Sequence, residues 1–265
     1  MKNKLSLLIL FCVNSIFAQD LDKLFEKKTF VQGSNTLQYR IMFPKDFDES
    51  KQYPLVLFLH GAGERGNNNE TQLVHGSTLF ANEKNRNDFP AIVIFPQCPK
   101  DDYWSNVKVV HSKKGVEKFK YQKRGKPTKS MELVLKLIDD MLDKPYVKKS
   151  QIYVGGLSMG GMGTFDILKR RPNMFAAAFP ICGGGNPKSV KKYANNVSFW
   201  VFHGGKDDVV HPYFSLNMVT ALQAKEADVK LTYFENSNHN SWDATFAEPK
   251  LLPWLFSNSK TLKNE

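Results

Sequence analysis

The sequence predicts an α/β fold: a mostly parallel, twisted sheet of about eight strands with helices on both faces. Short apolar runs recur along the chain, each followed by turn residues, at 55–59, 91–95, 152–154, 176–181, 199–202 and 231–234. They are apolar throughout rather than alternating, as strands covered on both sides must be. Segments with helical spacing separate them at 71–81, 130–142, 159–170 and 213–225; Leu133, Leu137, Ile138 and Met141 fall on one helical face. Alternating strand and helix calls for right-handed crossovers and a parallel sheet.

In chain order, residues 1–18 come first and stand apart. Lys2 and Lys4 precede the apolar run 5–11, and Ser15-Ile16-Phe17-Ala18 places a small residue before Gln19. This pattern predicts a signal peptide cleaved after Ala18. Asn14 and Asp20 cut the run short of the roughly 20 apolar residues that a membrane span needs. Residues 19–265 are then expected as one exported domain with no stable membrane insertion.

Residues 24–31 and 37–43 alternate apolar with polar and flank Gly33, which predicts an antiparallel pair leading into the sheet. Residues 101–129, between a strand and a helix, are far longer than such connections usually are. They carry nine Lys or Arg against three acidic residues, with Tyr103, Trp104, Phe119 and Tyr121 among them. This is a basic insertion, either a solvated hairpin or a cationic rim over the site.

Composition narrows the function classes. With 42% hydrophobic and 24% charged residues the chain is neither disordered nor fibrous. Its formal net charge is +11, and the loss of Lys2 and Lys4 with the leader would leave +9. A basic surface suits polyanions, but the cations are not interleaved with aromatics along one element, and no nucleic-acid partner is expected. Cys12 would leave with the leader; Cys98 and Cys182 have no metal-ligand spacing, so neither metal nor organic cofactor is expected.

The chemistry is concentrated at the strand ends. Gly156-Leu157-Ser158-Met159-Gly160 is a G-x-S-x-G pattern between a predicted strand and a predicted helix, the setting of a nucleophile elbow. Side chains at the flanking glycines would collide with neighbouring elements. A serine hydroxyl needs a base, and the base needs an orienting acid. Asp207 and Asp208 follow the 199–202 strand, and His239 lies in the polar loop after the 231–234 strand. The other histidines have weaker claims: His60 and His203 follow apolar strands and precede glycine, as buried rings that fix loops do, and His75, His111 and His211 have no supporting context. An oxyanion needs two backbone donors: Met159 supplies one, and Gly61 or Ala62, in His60-Gly61-Ala62-Gly63-Glu64-Arg65-Gly66, the other.

With these residues in place the chain resembles the bacterial secreted branch of the α/β-hydrolase superfamily, the carboxylesterase, phospholipase and prolyl-oligopeptidase-like proteins that include carbohydrate esterases. The likeness runs from about Tyr53 to Leu255 and includes the loop at His60, Phe95-Pro96-Gln97-Cys98-Pro99 with Trp104, the elbow, Pro180-Ile181-Cys182-Gly183-Gly184, the stretch from His203 to Val210, and His239 with Trp242. In the resembling proteins the acid falls four residues after the strand-end histidine, which implies Asp207 rather than Asp208. Asn238 before the catalytic histidine, His211 after Val210 and the long insertion depart from the pattern. The topology puts about three strand spacings between Cys98 and Cys182, too far for a disulfide, so two free thiols are expected. The resemblance implies a serine esterase for small-molecule or polysaccharide esters, with short acyl or aryl groups favoured and Trp104 and Trp242 stacking on rings. The same triad serves peptidases and phospholipases, and a catalytically silent glycan-binding protein could keep the fold.

Overall fold

A computed structural model describes residues 21–111, 117–122 and 124–261. The leader expected at 1–18 and part of the basic insertion, including Lys113, Lys114 and Lys123, lie outside the described residues. The strands are β1 (Glu26–Gln32), β2 (Asn35–Met42), β3 (Tyr53–Leu59), β4 (Ile92–Pro96), β5 (Val107–His111), β6 (Glu117–Tyr121), β7 (Val147–Leu157), β8 (Ala177–Ile181), β9 (Ser198–Gly204) and β10 (Val229–Phe234). The helices are α1 (Ser77–Ala81), α2 (Glu83–Asp88), α3 (Lys129–Leu142), α4 (Met159–Arg170), α5 (Tyr213–Gln223), α6 (Trp242–Phe246) and α7 (Leu251–Ser257).

Eight strands form one sheet in the order β1-β2-β4-β3-β7-β8-β9-β10. β1 pairs antiparallel with β2 and β2 with β4, and the rest of the sheet is parallel. Alternation along β3 divides the core. Leu55, Leu57 and Leu59 face a cluster built with α3, α4 and α5, whereas Val56 and Phe58 face one that holds Phe80, Leu251, Leu252 and Leu255 from α1 and α7. Helices therefore cover both faces, and the parallel strands point their carboxyl ends at one rim, where ligand sites of open α/β sheets form.

Two expectations shift. The helix expected over 71–81 is a 3₁₀ turn at Thr71–Leu73 followed by α1, because Gly76 between them takes φ +84°. A Cβ there would stand 3.0 Å from Phe246 Cζ and 3.2 Å from Phe58, so ring packing requires the glycine as much as the backbone does. The run read at 152–154 extends over Val147–Leu157 and contains Gly155 and Gly156, weak strand formers whose place is set by neighbours. The Phe179 ring fills the space a Gly155 side chain would need, 2.1 Å from its Cβ position.

In the basic insertion, β5 and β6 pair antiparallel as a hairpin. Val107 lies opposite Tyr121 and Val109 opposite Phe119, and this face packs on Met162, Val210 and Phe214. Lys108 and Lys120 form a pair on the other face, exposed to solvent. The aromatic residues thus anchor the insertion to α4 and to the loop beyond β9, and Lys108 and Lys120 point outward.

Candidate active site

β7 ends at Leu157 and α4 begins at Met159, so Ser158 alone turns the chain, at φ +53° and ψ −114°. Such a backbone costs on the order of 1–3 kcal/mol and persists only where the surroundings impose it. Here they do: a Cβ on Gly156 would stand 2.5 Å from Gly160 O, one on Gly160 1.8 Å from Leu59 O, and one on Gly161 2.5 Å from Ile181 O. The glycines admit the close approach of β7, β3 and α4 that lifts Ser158 above the strand ends.

Two loops bring the partners. Asp207 follows β9 and His239 follows β10, and the loops are tied by Lys206 N–H donating to Ser237 O (2.8 Å) and Gly205 N–H to Phe234 O (2.8 Å). Gly204 lets the second loop cross the first, since a Cβ there would lie 2.2 Å from Asn238 O. The result is a continuous chain: Ser158 Oγ to His239 Nε2 at 2.9 Å, and His239 Nδ1 to Asp207 Oδ2 at 2.8 Å. Asp208 is exposed and Asp207 is buried.

The acid is fully engaged. Its Oδ1 accepts from the N–H groups of Val209 (3.0 Å) and Val210 (2.8 Å). His203 Nε2 lies 3.1 Å from Asp207 Oδ2 and 2.8 Å from Val210 O; both are acceptors, so this nitrogen carries the proton. Burial alone would raise the Asp207 pKa, but hydrogen bonds from His203, His239 and Val210 and the His239 charge outweigh it and hold the carboxyl well below the ordinary range. His203 is wholly buried, with Nδ1 2.7 Å from Ser215 Oγ. It is a ring fixing a loop, as read from sequence, but the loop it fixes holds the acid.

His60 does the same for the loop after β3. Its Nε2 accepts from Cys98 N–H (3.0 Å), which puts the ring proton on Nδ1, 2.6 Å from Gly61 O. Burial pushes its pKa down to about 4. Arg65 holds the far side of the loop, donating to Ala62 O (3.0 Å), Lys100 O (3.1 Å) and Asp102 O (3.3 Å). Gly61 is thereby set beside the nucleophile: a Cβ on it would lie 3.7 Å from Ser158 Cβ.

The two tryptophans part company. Trp104, expected to stack on substrate, is instead fully buried: Nε1–H donates to His60 O (3.0 Å), and the side chain passes over Gly163 of α4, whose Cβ would stand 2.6 Å from Trp104 Cβ. It is a strut for the His60 loop. Trp242 is half-buried, edge-on to His239 with centroids 5.3 Å apart, and its other neighbour is His75 at 5.1 Å. Sequence reasoning gave His75 no role, and nothing in its local pattern signals the contact.

Cys98 and Cys182 are free and buried, just beyond the carboxyl ends of β4 and β8, with β3 and β7 between those strands. The Cys182 donor atom lies within 4.8 Å of those of Asp207 and His239. Burial pushes the Cys182 thiol pKa up, and the other two already bond each other, so this cluster is poorly suited to bind a metal.

The chain that carries this serine, on a strained strand-to-helix turn and hydrogen-bonded to histidine and on to a buried carboxylate, matches the phospholipase/carboxylesterase family over residues 47–250. The chain belongs to that family. The sheet is that of an α/β hydrolase. The crystal structure of a thermostable esterase superposes with a TM-score of 0.81 at 33% identity, over 91% of this chain and 64% of that one. The bifunctional acetylxylan esterase/xylanase XynS20E of Neocallimastix patriciarum is 30% identical over 119 residues, 43% of this chain and 18% of that protein. The prolyl endopeptidase FAP of Mus musculus is 22% identical over 243 residues, 81% of this chain and 30% of that one. This chain thus spans less than a third of these two curated relatives. A ferulic acid esterase from Anaeromyces mucronatus superposes with a TM-score of 0.62 at 16% identity, a likeness of fold.

Proposed function

We propose that this family member is a serine carboxylic-ester hydrolase, with Ser158 as nucleophile, His239 as general base and acid, and Asp207 as the group that orients the imidazole and stabilises its cation. The observation that carries the reading is the unbroken chain from Ser158 Oγ through both nitrogens of His239 to Asp207. As Ser158 Oγ attacks the ester carbonyl, its proton passes to His239 Nε2 and the carbonyl oxygen gains negative charge. The N–H groups of Met159 and of Gly61 or Ala62 receive that charge, a contribution of order 10²–10³ in rate per donor. His239 then protonates the leaving alcohol, and water, activated by the same imidazole, releases the acid from the acyl-enzyme.

Short acyl or aryl esters, including acetyl and feruloyl esters on polysaccharide, are the favoured substrates. The half-buried Trp242 ring beside His239 offers a face for an aryl or sugar ring, and the esterases in the comparisons support the class. The protein is exported as one catalytic domain, with cleavage after Ala18. Among the described residues no helix is long and apolar enough to cross a membrane. Hydrolysis of p-nitrophenyl esters from acetate to palmitate, beside p-nitroacetanilide, tests the class: a short-chain optimum with little anilide cleavage is expected. A palmitate optimum would make it a lipase, and faster anilide cleavage a peptidase. Amino-terminal sequencing of the exported protein is expected to begin at Gln19.

A further inference from the structure

The loop after β3 holds a charged group that the reaction does not use. Glu64 Oε2 is buried and, among the described residues, has no hydrogen-bond partner. Its position is tied to the nucleophile through one point: a Cβ on Gly61 would lie 2.9 Å from Glu64 Oε2 and 3.7 Å from Ser158 Cβ. The other oxygen, Oε1, is 3.7 Å from His75 Nε2, beyond hydrogen-bond distance, and the His75 ring packs on Trp242, which packs on His239. The backbone at Glu64 is held in place. Its carbonyl accepts from Thr71 Oγ1 (2.8 Å), and the Arg65 guanidinium next to it is occupied by three backbone oxygens.

A carboxylate here works against the chemistry proposed above. Ester cleavage builds negative charge within a few ångströms of Ser158, and a second negative charge nearby raises that barrier. An unpaired buried acceptor also carries its own desolvation cost. The Coulombic penalty is offset when the substrate carries a positive charge beside the scissile bond and enlarged when it carries a negative one.

We propose that Glu64 sets the charge preference of the active site: it favours esters bearing a cationic group beside the scissile bond and disfavours those bearing an anionic one. The assignment rests on the esterase reading and narrows its substrate class. Uronate-type esters do not fit, although the net charge of +9 that remains without the leader would by itself attract them. The preference at the site therefore opposes the preference of the surface.

The test uses three aryl acetates, 3-(trimethylammonio)phenyl, 3-tert-butylphenyl and 3-carboxyphenyl acetate, each kcat/KM divided by the hydroxide-catalysed rate of the same ester. The wild-type protein is expected to rank them cationic, neutral, anionic, with about tenfold or more between the extremes, as one charge at such a distance gives. Glu64→Gln, nearly isosteric, is expected to compress that ratio by about the same factor. The wild-type ranking needs no variant and stands even if Glu64→Gln does not fold. An anionic preference in the wild type, or a ratio that Glu64→Gln leaves unchanged, would overturn the assignment while turnover upheld the esterase reading. Failure to cleave any of the three would overturn both.

Discussion

Protonation of His60 gives a quantitative handle on the loop that borders the nucleophile. In the folded state Nε2 accepts from Cys98 N–H, so an added proton would face a donor inside a site that is 1% exposed. That burial lowers the pKa from 6.5 to about 4. Above pH 6.5 the ring is neutral in both folded and unfolded chains and contributes no pH dependence. Between 6.5 and 4 the unfolded chain takes up a proton that the folded one refuses, so stability falls as pH falls. The slope reaches about 1.4 kcal/mol per pH unit, and the accumulated loss is about 3 kcal/mol before it levels off below the folded pKa. Urea denaturation of wild type and His60→Gln at intervals between about pH 7 and 4 separates this term from other titrations, because the slope is compared rather than the absolute stability. The wild type is expected to lose about 3 kcal/mol more than the variant over that interval. Equal slopes would refute the reasoning and mean that His60 titrates normally or that its surroundings yield on protonation.

Other consequences follow from the same geometry. Asp207→Asn replaces the acceptor that His239 Nδ1 and His203 Nε2 both use, and kcat is expected to fall by about 10⁴ with a much smaller change in KM, measured on p-nitrophenyl acetate. Gly160→Ala would bring a methyl group 1.8 Å from the Leu59 carbonyl oxygen; a loss of ~3 kcal/mol or more is expected by denaturant titration, or no folded protein at all. Thiol titration of unreduced chain beginning at Gln19 is expected to find two thiols after denaturation. In the native state both are expected to react slowly, since both are buried and the Cys98 thiol is pushed up to about 12.

Much of this arrangement is legible in the residues because steric necessity and chemistry coincide there. Gly156 and Gly160 flank Ser158 since nothing larger fits between β7, β3 and α4, and that requirement is visible as a G-x-S-x-G pattern between an apolar run and a helical one. The choice of Asp207 over Asp208 came from the resemblance; the structure shows its physical basis, that Asp207 collects two backbone N–H groups and two imidazoles while Asp208 faces solvent. Trp104 misled because a loop aromatic serves equally as platform or strut. Only the missing side chain of Gly163 and the His60 carbonyl, distant in sequence, decide between the two. The hairpin at β5 and β6 was one of the two readings of the insertion, but its packed face was hidden for a similar reason: Val107, Val109, Phe119 and Tyr121 alternate with lysines, and what they pack against lies in α4 and beyond β9. Glu64 and His75 carry no local signal, because their position beside the nucleophile follows from how the loop after β3 meets the loop after β10.

The central claim, that Ser158 activated by His239 cleaves carboxylic esters, is tested most directly by turnover of p-nitrophenyl acetate with wild type and Ser158→Ala, both checked for folding by circular dichroism. Steady turnover by the wild type, with the variant reduced by at least about 10³, is the expected result. Equal turnover by the two proteins, or none by a folded wild type on any short acyl ester, would contradict it.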